Sequence, residues 1–213
     1  MERKTFAVAC GGTGGHVFPG LEIANELKRR GHAVEVWLSG RAVEGSTLGC
    51  WDGPVFSTGA KQLSLRTLPS VGRAFFTSLK GVRRLKTDAM VSIGSYSSLP
   101  AVLAARFCHV AVVLHEANAV AGKDVEFLSR YSVLTAVSFE EPAAWLPGRS
   151  VRCTGLPVRG GLVGQRRFDE IPEGAFTVFV TGGSQGARRV NELVSQAMCL
   201  LRRAGVEDFF VIH

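Results

Sequence analysis

Short, largely apolar runs alternate along this chain with longer stretches in which apolar residues recur every three or four positions. Thr5-Phe6-Ala7-Val8-Ala9-Cys10, Ala33-Val34-Glu35-Val36-Trp37-Leu38, Ala89-Met90-Val91-Ser92-Ile93 and Val110-Ala111-Val112-Val113-Leu114 are runs of the first kind. The last two, apolar along nearly their whole length, suit parallel strands covered on both faces. Leu21, Ala24 and Leu27, with Ile23 nearby, predict a helix over 22–30, opened by Pro19-Gly20 and stopped at Gly31. Further helices are expected over 99–107 and 123–131, and a short strand over 133–137. Strand–helix–strand units of this kind imply a parallel sheet. A second such unit begins later, with a strand at 176–180, a helix over 188–203 and a strand at 208–213. The polar, proline-containing stretch at 165–174 reads as a linker. The expectation is an α/β chain with two Rossmann-like domains, each built on a parallel sheet. Residues 1–160 form the first, 161–175 the linker, and 176–213 only the start of the second.

Each unit opens on a glycine-rich loop. Gly11-Gly12-Thr13-Gly14-Gly15-His16 follows the first strand, and Thr181-Gly182-Gly183-Ser184-Gln185-Gly186 follows the strand at 176–180. A strand, tight loop and helix leave backbone N–H groups unpaired at a helix N-terminus, where the helix dipole favours a phosphate. Two such loops suggest two nucleotide-type domains with a ligand between them. The first loop lacks the third glycine of the dinucleotide fingerprint, because Val17 stands there. The second strand ends Leu38-Ser39-Gly40-Arg41, with no acid to hold a ribose diol. Ser39 and Arg41 suit a 2′-phosphate, so an NADP-binding reductase stays in contention. His16, at the mouth of the first loop, suits a general base or a donor to an oxyanion. A helix-capping or buried structural role is equally compatible with its position. His115, Glu116 and Asn118 cluster at the end of the most apolar strand, facing a ligand or serving turn chemistry. Arg159 stands at the junction of the two units, where a guanidinium reaches a diphosphate or lies on the surface.

Charge narrows the partner. The 213 residues carry a net charge of +7, so an anionic partner is expected: nucleotide, nucleic acid or lipid head group. An apolar content of 46% with 20% charged residues excludes a disordered chain. Five scattered cysteines without CxxC spacing read as reduced, buried thiols of a cytosolic protein. The first strand starts almost at once, so no signal peptide is expected. No apolar run reaches the roughly 18–20 residues that span a bilayer. Residues 53–87 hold seven cations and no acid, interleaved with apolar residues. Val71, Phe75, Leu79 and Val82 fall on one helical face. With Phe76, Lys80, Arg83 and Arg84 they predict a surface element for anionic lipid, or else a core-facing helix with a solvated basic side. Nucleic acid is not favoured as a partner, since no aromatic platform with a base-reading element accompanies the charge.

Taken together, these stretches closely resemble the MurG family, bacterial glycosyltransferases that add N-acetylglucosamine to lipid-linked muramoyl-pentapeptide. The matching segments are Gly11 to Pro19, His115-Glu116-Ala117-Asn118 with Ala121-Gly122, Gly155-Leu156-Pro157-Val158-Arg159, and Gly182 to Arg188, in family order. The resemblance implies a GT-B architecture and an inverting transfer from UDP-N-acetylglucosamine to the 4-hydroxyl of lipid I, giving lipid II for peptidoglycan. It implies Thr13, Gly14 and Gly15 against the donor diphosphate and sugar, and Asn118 on the sugar. Arg159 and Ser184 would meet the diphosphate, with Gln185 beside them. His16 or Glu116 would take the hydroxyl proton. No cofactor and no metal are implied, and no paired acids stand at a phosphate site. The basic segment matches the region that rests on the cytoplasmic face of the cell membrane as a peripheral contact. The family usually has Gln at Ala117 and two glycines before Tyr96, where this chain has Gly94-Ser95. Family members are much longer, so the chain reads as a fragment, and a catalytically silent membrane-binding domain is a further alternative.

Overall fold

The computed structural model describes residues 2–45, 47–61, 64, 67–147, 150–158, 170–182, 187–206 and 208–213. Two compact units divide the chain, residues 1–160 and 161–213. The first is built on a parallel sheet of seven strands: β1 (Thr5–Ala9), β2 (Ala33–Leu38), β3 (Val55–Ser57), β4 (Ala89–Ser92), β5 (Ala111–Glu116), β6 (Leu134–Val137) and β7 (Val151–Cys153). Their order is β3-β2-β1-β4-β5-β6-β7, and every pairing is parallel. The order reverses between β1 and β4. In open α/β sheets, the crevice outside the carboxyl ends of two such strands is where ligands bind.

Helices cover both faces. Alternate residues of each strand point to opposite sides. Val8, Cys10, Val36 and Leu38 pack with Val17, Leu21 and Ala24 of α1 (Gly14–Arg29). Ala7, Ala9, Trp37, Met90, Val112 and Leu114 pack on the other side with α3 (Leu68–Leu85), α4 (Leu99–Phe107) and α5 (Lys123–Ser129). A one-turn helix, α2 (Ala42–Gly45), follows β2.

Several elements differ from their sequence-based bounds. Helix α1 starts at Gly14, eight residues before the expected position, and carries Pro19 inside it. Proline removes one intrahelical N–H, but Val17, Leu21 and Ala24 are fully buried, and that burial holds the first turns helical. Strand β5 runs on through His115 and Glu116, so both are buried strand residues. The edge strand β3 and the short α2 carry too little periodicity to be seen in the sequence. Among the cysteines, Cys10 is buried, but Cys153 and Cys199 are exposed, which corrects the expectation of uniformly buried thiols.

Glycine decides two contacts. A Cβ on Gly20 would lie 2.3 Å from Cys10 Cβ, so α1 can approach β1 only where a side chain is missing. This is the helix–strand packing role of the third fingerprint glycine, filled here at Gly20 instead of at Val17. A Cβ on Gly81 would lie 2.7 Å from the Trp37 ring, which lets α3 settle on β2 and β3.

In the second unit, β8 (Thr177–Phe179) and β9 (Phe210–Ile212) pair in parallel and are joined by α6 (Arg188–Arg203). Phe176, Phe179 and Leu200 are exposed.

Candidate functional site

The first glycine-rich loop sits at the sheet's switch point. Thr13 is the residue before α1 and adopts an extended backbone. Its carbonyl accepts the N–H groups of His16 and Val17 at 2.9 and 3.0 Å. Gly14 and Gly15, as the first two helical residues, have no intrahelical acceptor for their N–H groups. Thr13 Oγ1 lies 3.3 Å from His16 Nδ1. When Nδ1 carries the proton and donates it to Thr13, the Nε2 lone pair is left available. His16 is half-buried, and burial pushes its pKa below the ordinary 6.5, against the opposing pull of Asp124 and Glu116. It is therefore neutral at pH 7, as a base or neutral donor requires.

The loop after β4 forms the opposite wall. Ser95 Oγ and Ser97 Oγ donate to the Gly11 carbonyl at 2.6 and 2.5 Å, and Ser98 Oγ donates to the Ala9 carbonyl at 3.3 Å. These hydroxyls clamp the glycine-rich loop to its neighbour. Gly12, Thr13, His16, Arg41, Ser95, Tyr96 and Ser97 line a cleft of about 230 Å³. A larger groove of about 780 Å³, lined by Ser39, Arg41, Ser57, Lys61 and Ser64 among others, shares Arg41 with it.

Sequence reasoning missed Glu44. It is 1% exposed, and its two oxygens accept from Gly12 N (2.7 Å), Ser39 N (3.3 Å), Ser39 Oγ (2.5 Å), Gly40 N (2.8 Å) and Arg41 N (3.0 Å). The carboxylate thus joins the loops that follow β1 and β2. It also removes Gly12 from the set of N–H groups open to a ligand. Gly11 must be glycine, because a Cβ there would meet Ser39 N at 2.5 Å. A 2′-phosphate at the end of β2 would find Ser39 buried with its hydroxyl committed to Glu44, which leaves Arg41 alone of the two expected partners.

The His115–Asn118 cluster is mostly structural. Glu116 Oε1 accepts from both Asn118 N and Asn118 Nδ2 at 2.8 Å, and Oε2 accepts from Gly122 N at 3.0 Å. Both oxygens are thereby engaged in shaping the loop that presents the exposed Asn118. His115 Nε2 lies 3.2 Å from the Gly155 carbonyl. A carbonyl only accepts, so Nε2 carries the proton and buried Nδ1 is left unpartnered. A second proton on Nδ1 would be buried without an acceptor, and burial lowers this pKa also. The contact joins the end of β5 to the Gly155-Leu156-Pro157-Val158 stretch. Asp124, at the second position of α5, was also missed. Burial raises its pKa, and its charge and that of His16 act on each other.

Within the basic helix, side chains expected on one surface divide. Leu79 is buried, Phe75 is half-buried, and Arg84, itself exposed, pairs with buried Glu35 at 2.6 Å and lies over the Phe56 ring. Phe76, Lys80 and Arg83 are exposed. Phe75 stacks edge-on with Phe76 and with Phe107 of α4, which is 63% exposed. Leu79 therefore leaves the expected membrane contact set, because it is buried in the fold, whereas Arg84 stays 55% exposed while paired with Glu35. Among the described residues, no helix is long and apolar enough to cross a membrane. Arg159, Ser184 and Gln185 lie outside the described residues.

A parallel sheet in Rossmann order, with a glycine-rich loop and a histidine at its switch point, defines the first unit as a Rossmann-like α/β domain with its ligand crevice at that point. The chain belongs to glycosyltransferase family 28: residues 6–48 and 52–136 match that family's N-terminal domain. It is 36% identical over 210 residues to the UDP-N-acetylglucosamine–N-acetylmuramyl-(pentapeptide) pyrophosphoryl-undecaprenol N-acetylglucosamine transferase of Halorhodospira halophila, covering 93% of this chain and 57% of that protein. The enzyme of the same name from Rhodospirillum rubrum is 38% identical over 208 residues, covering 93% and 53%. Among solved structures, Acinetobacter baumannii MurG superposes with a TM-score of 0.72 at 27% identity, over 92% of this chain and 57% of that one. The glycosyltransferase SsfS6 from Streptomyces sp. SF2575 shares the fold, with a TM-score of 0.59 at 16% identity. The chain spans about half the length of the curated relatives it matches.

Proposed function

We propose that this chain supplies the acceptor-side part of an inverting N-acetylglucosaminyltransferase that converts lipid I to lipid II. The 4-hydroxyl of the lipid-linked N-acetylmuramoyl-pentapeptide attacks the anomeric carbon of UDP-N-acetylglucosamine, and the bond to UDP breaks. The observation that carries the reading is His16 in the cleft behind the glycine-rich loop, its Nδ1 3.3 Å from Thr13 Oγ1, in a chain with 36% identity to a transferase of that name.

His16 takes the hydroxyl proton through Nε2 while Thr13 holds Nδ1. Glu116, with both oxygens engaged, orients the loop of Asn118 toward the sugar instead of acting as the base. Gly14 and Gly15 offer N–H groups at the positive end of α1 to a diphosphate. Arg159, Ser184 and Gln185 are assigned to the leaving diphosphate on the family resemblance alone. Phe76, Phe107, Lys80 and Arg83 form the face that meets anionic lipid on the cytoplasmic side of the membrane, with exposed aromatics beside cations.

Transfer of labelled N-acetylglucosamine to a short-chain lipid I analogue tests the reading. The 213-residue chain is assayed alone and fused to the remaining C-terminal part of the Halorhodospira halophila relative. Product from the fusion, lost in His16→Ala, is expected. A folded fusion that makes no product would overturn the assignment.

A further inference from the structure

We infer that Arg41 is a diphosphate-binding residue of the cleft and that buried Glu44 is the residue that positions it. The inference deepens the proposed function and rests on it for the class of ligand.

Glu44 is buried without a cation paired to it among the described residues. Its charge is met by five donors drawn from two loops. Two consequences follow for a ligand. The amide of Gly12 is taken, and a carboxylate lies beneath the loop, so a phosphate is held at the rim and repelled from any deeper seat. A rim-bound diphosphate then gains from a cation at the rim. Arg41 provides it. Its backbone N–H is held at 3.0 Å by Glu44 Oε2, its side chain is exposed, and it lines both the cleft with His16 and the adjoining groove with Lys61. Of the described residues lining that cleft, Arg41 is the one permanent cation. No carboxylate pairs with it among the described residues. A guanidinium offers a fork of donors that matches two phosphate oxygens at once, which a lysine ammonium does not.

The ligand chemistry is a diphosphate ester, supplied by a nucleoside diphosphate or by a prenyl diphosphate. Calorimetric titration of the 213-residue chain with UDP, and separately with geranyl diphosphate, distinguishes the two sources. Arg41→Ala is expected to weaken whichever diphosphate binds by about tenfold, and Arg41→Lys to restore part of the loss. The unfolding temperature of Arg41→Ala should stay at the parent value, since the side chain is exposed. Glu44→Gln should weaken binding in the parent chain but add little in the Arg41→Ala background. That dependence separates positioning from a general loss of structure.

Equal affinity of Arg41→Ala and the parent would overturn the inference. Independent, additive losses would overturn the positioning role of Glu44. Absence of binding by the parent to both probes at millimolar concentration would also overturn it, while the transfer reaction would still stand or fall by its own assay.

Discussion

Glu116 Oε1 receives both the backbone N–H and the side-chain amide of Asn118 at 2.8 Å, so one carboxylate fixes the conformation of the residue assigned to the sugar. Replacing it with glutamine keeps the shape but sets an NH2 group against N–H donors. Glu116→Gln should cost about 1–3 kcal/mol, the penalty of buried donors left unpaired. Urea denaturation would measure the loss, and amide exchange at Asn118 and Gly122 should accelerate. Unchanged exchange there would mean that the loop holds its shape without the carboxylate.

Arg84 and its neighbours on α3 should behave differently. Among the described residues, Arg84→Ala leaves buried Glu35 with the Trp37 Nε1 donor alone, at 2.9 Å. Because the Arg84 side chain is 55% exposed, the expected loss is modest, about 1–2 kcal/mol. Lys80→Ala and Arg83→Ala should change stability by no more than about 0.5 kcal/mol. They should instead reduce sedimentation with anionic vesicles, by about 1 kcal/mol for each cation removed. Equal vesicle binding by all three variants and the parent would remove the membrane role of this face.

Acid should destabilise the first unit before its carboxylates titrate. His16 and His115 both have folded pKa values below the ordinary 6.5. In the window between each folded value and 6.5, the unfolded chain binds more protons, so stability falls as pH falls. Asp124, whose folded pKa is raised above 3.8, contributes the opposite slope nearer the carboxylate range. Urea midpoints at pH 7.5 and 5.5 should therefore drop, and the combined His16→Asn and His115→Gln variant should flatten the difference. An unchanged slope in that variant would assign the effect to other groups.

Gly20→Ala tests the close approach of α1 to β1. The added methyl would fall 2.3 Å from Cys10 Cβ, inside any real contact distance. Overpacking of this kind costs about 1–3 kcal/mol. The urea midpoint should fall while the slope holds, because the unfolded surface is nearly unchanged.

Much of the architecture was legible in the residue pattern, for a local reason. Largely apolar short runs at β1, β2, β4 and β5, alternating with helical stretches, suit strands covered by helices on both faces, so a parallel sheet follows without any knowledge of contacts. The helix expected over 188–203 likewise matches α6. The glycine-rich loop and His16 were readable because strand, glycine and helix are neighbours in sequence. Partnerships between distant residues were not readable. Glu44 looks like one acid in an irregular stretch, and it meets Gly12 only because β1 and β2 lie side by side. Arg84 looks like one more surface cation until packing of α3 on β2 brings it to Glu35. Whether a charged side chain faces water or a buried partner depends on which strands become neighbours, and a hydrogen bond across dozens of residues leaves no period in the chain.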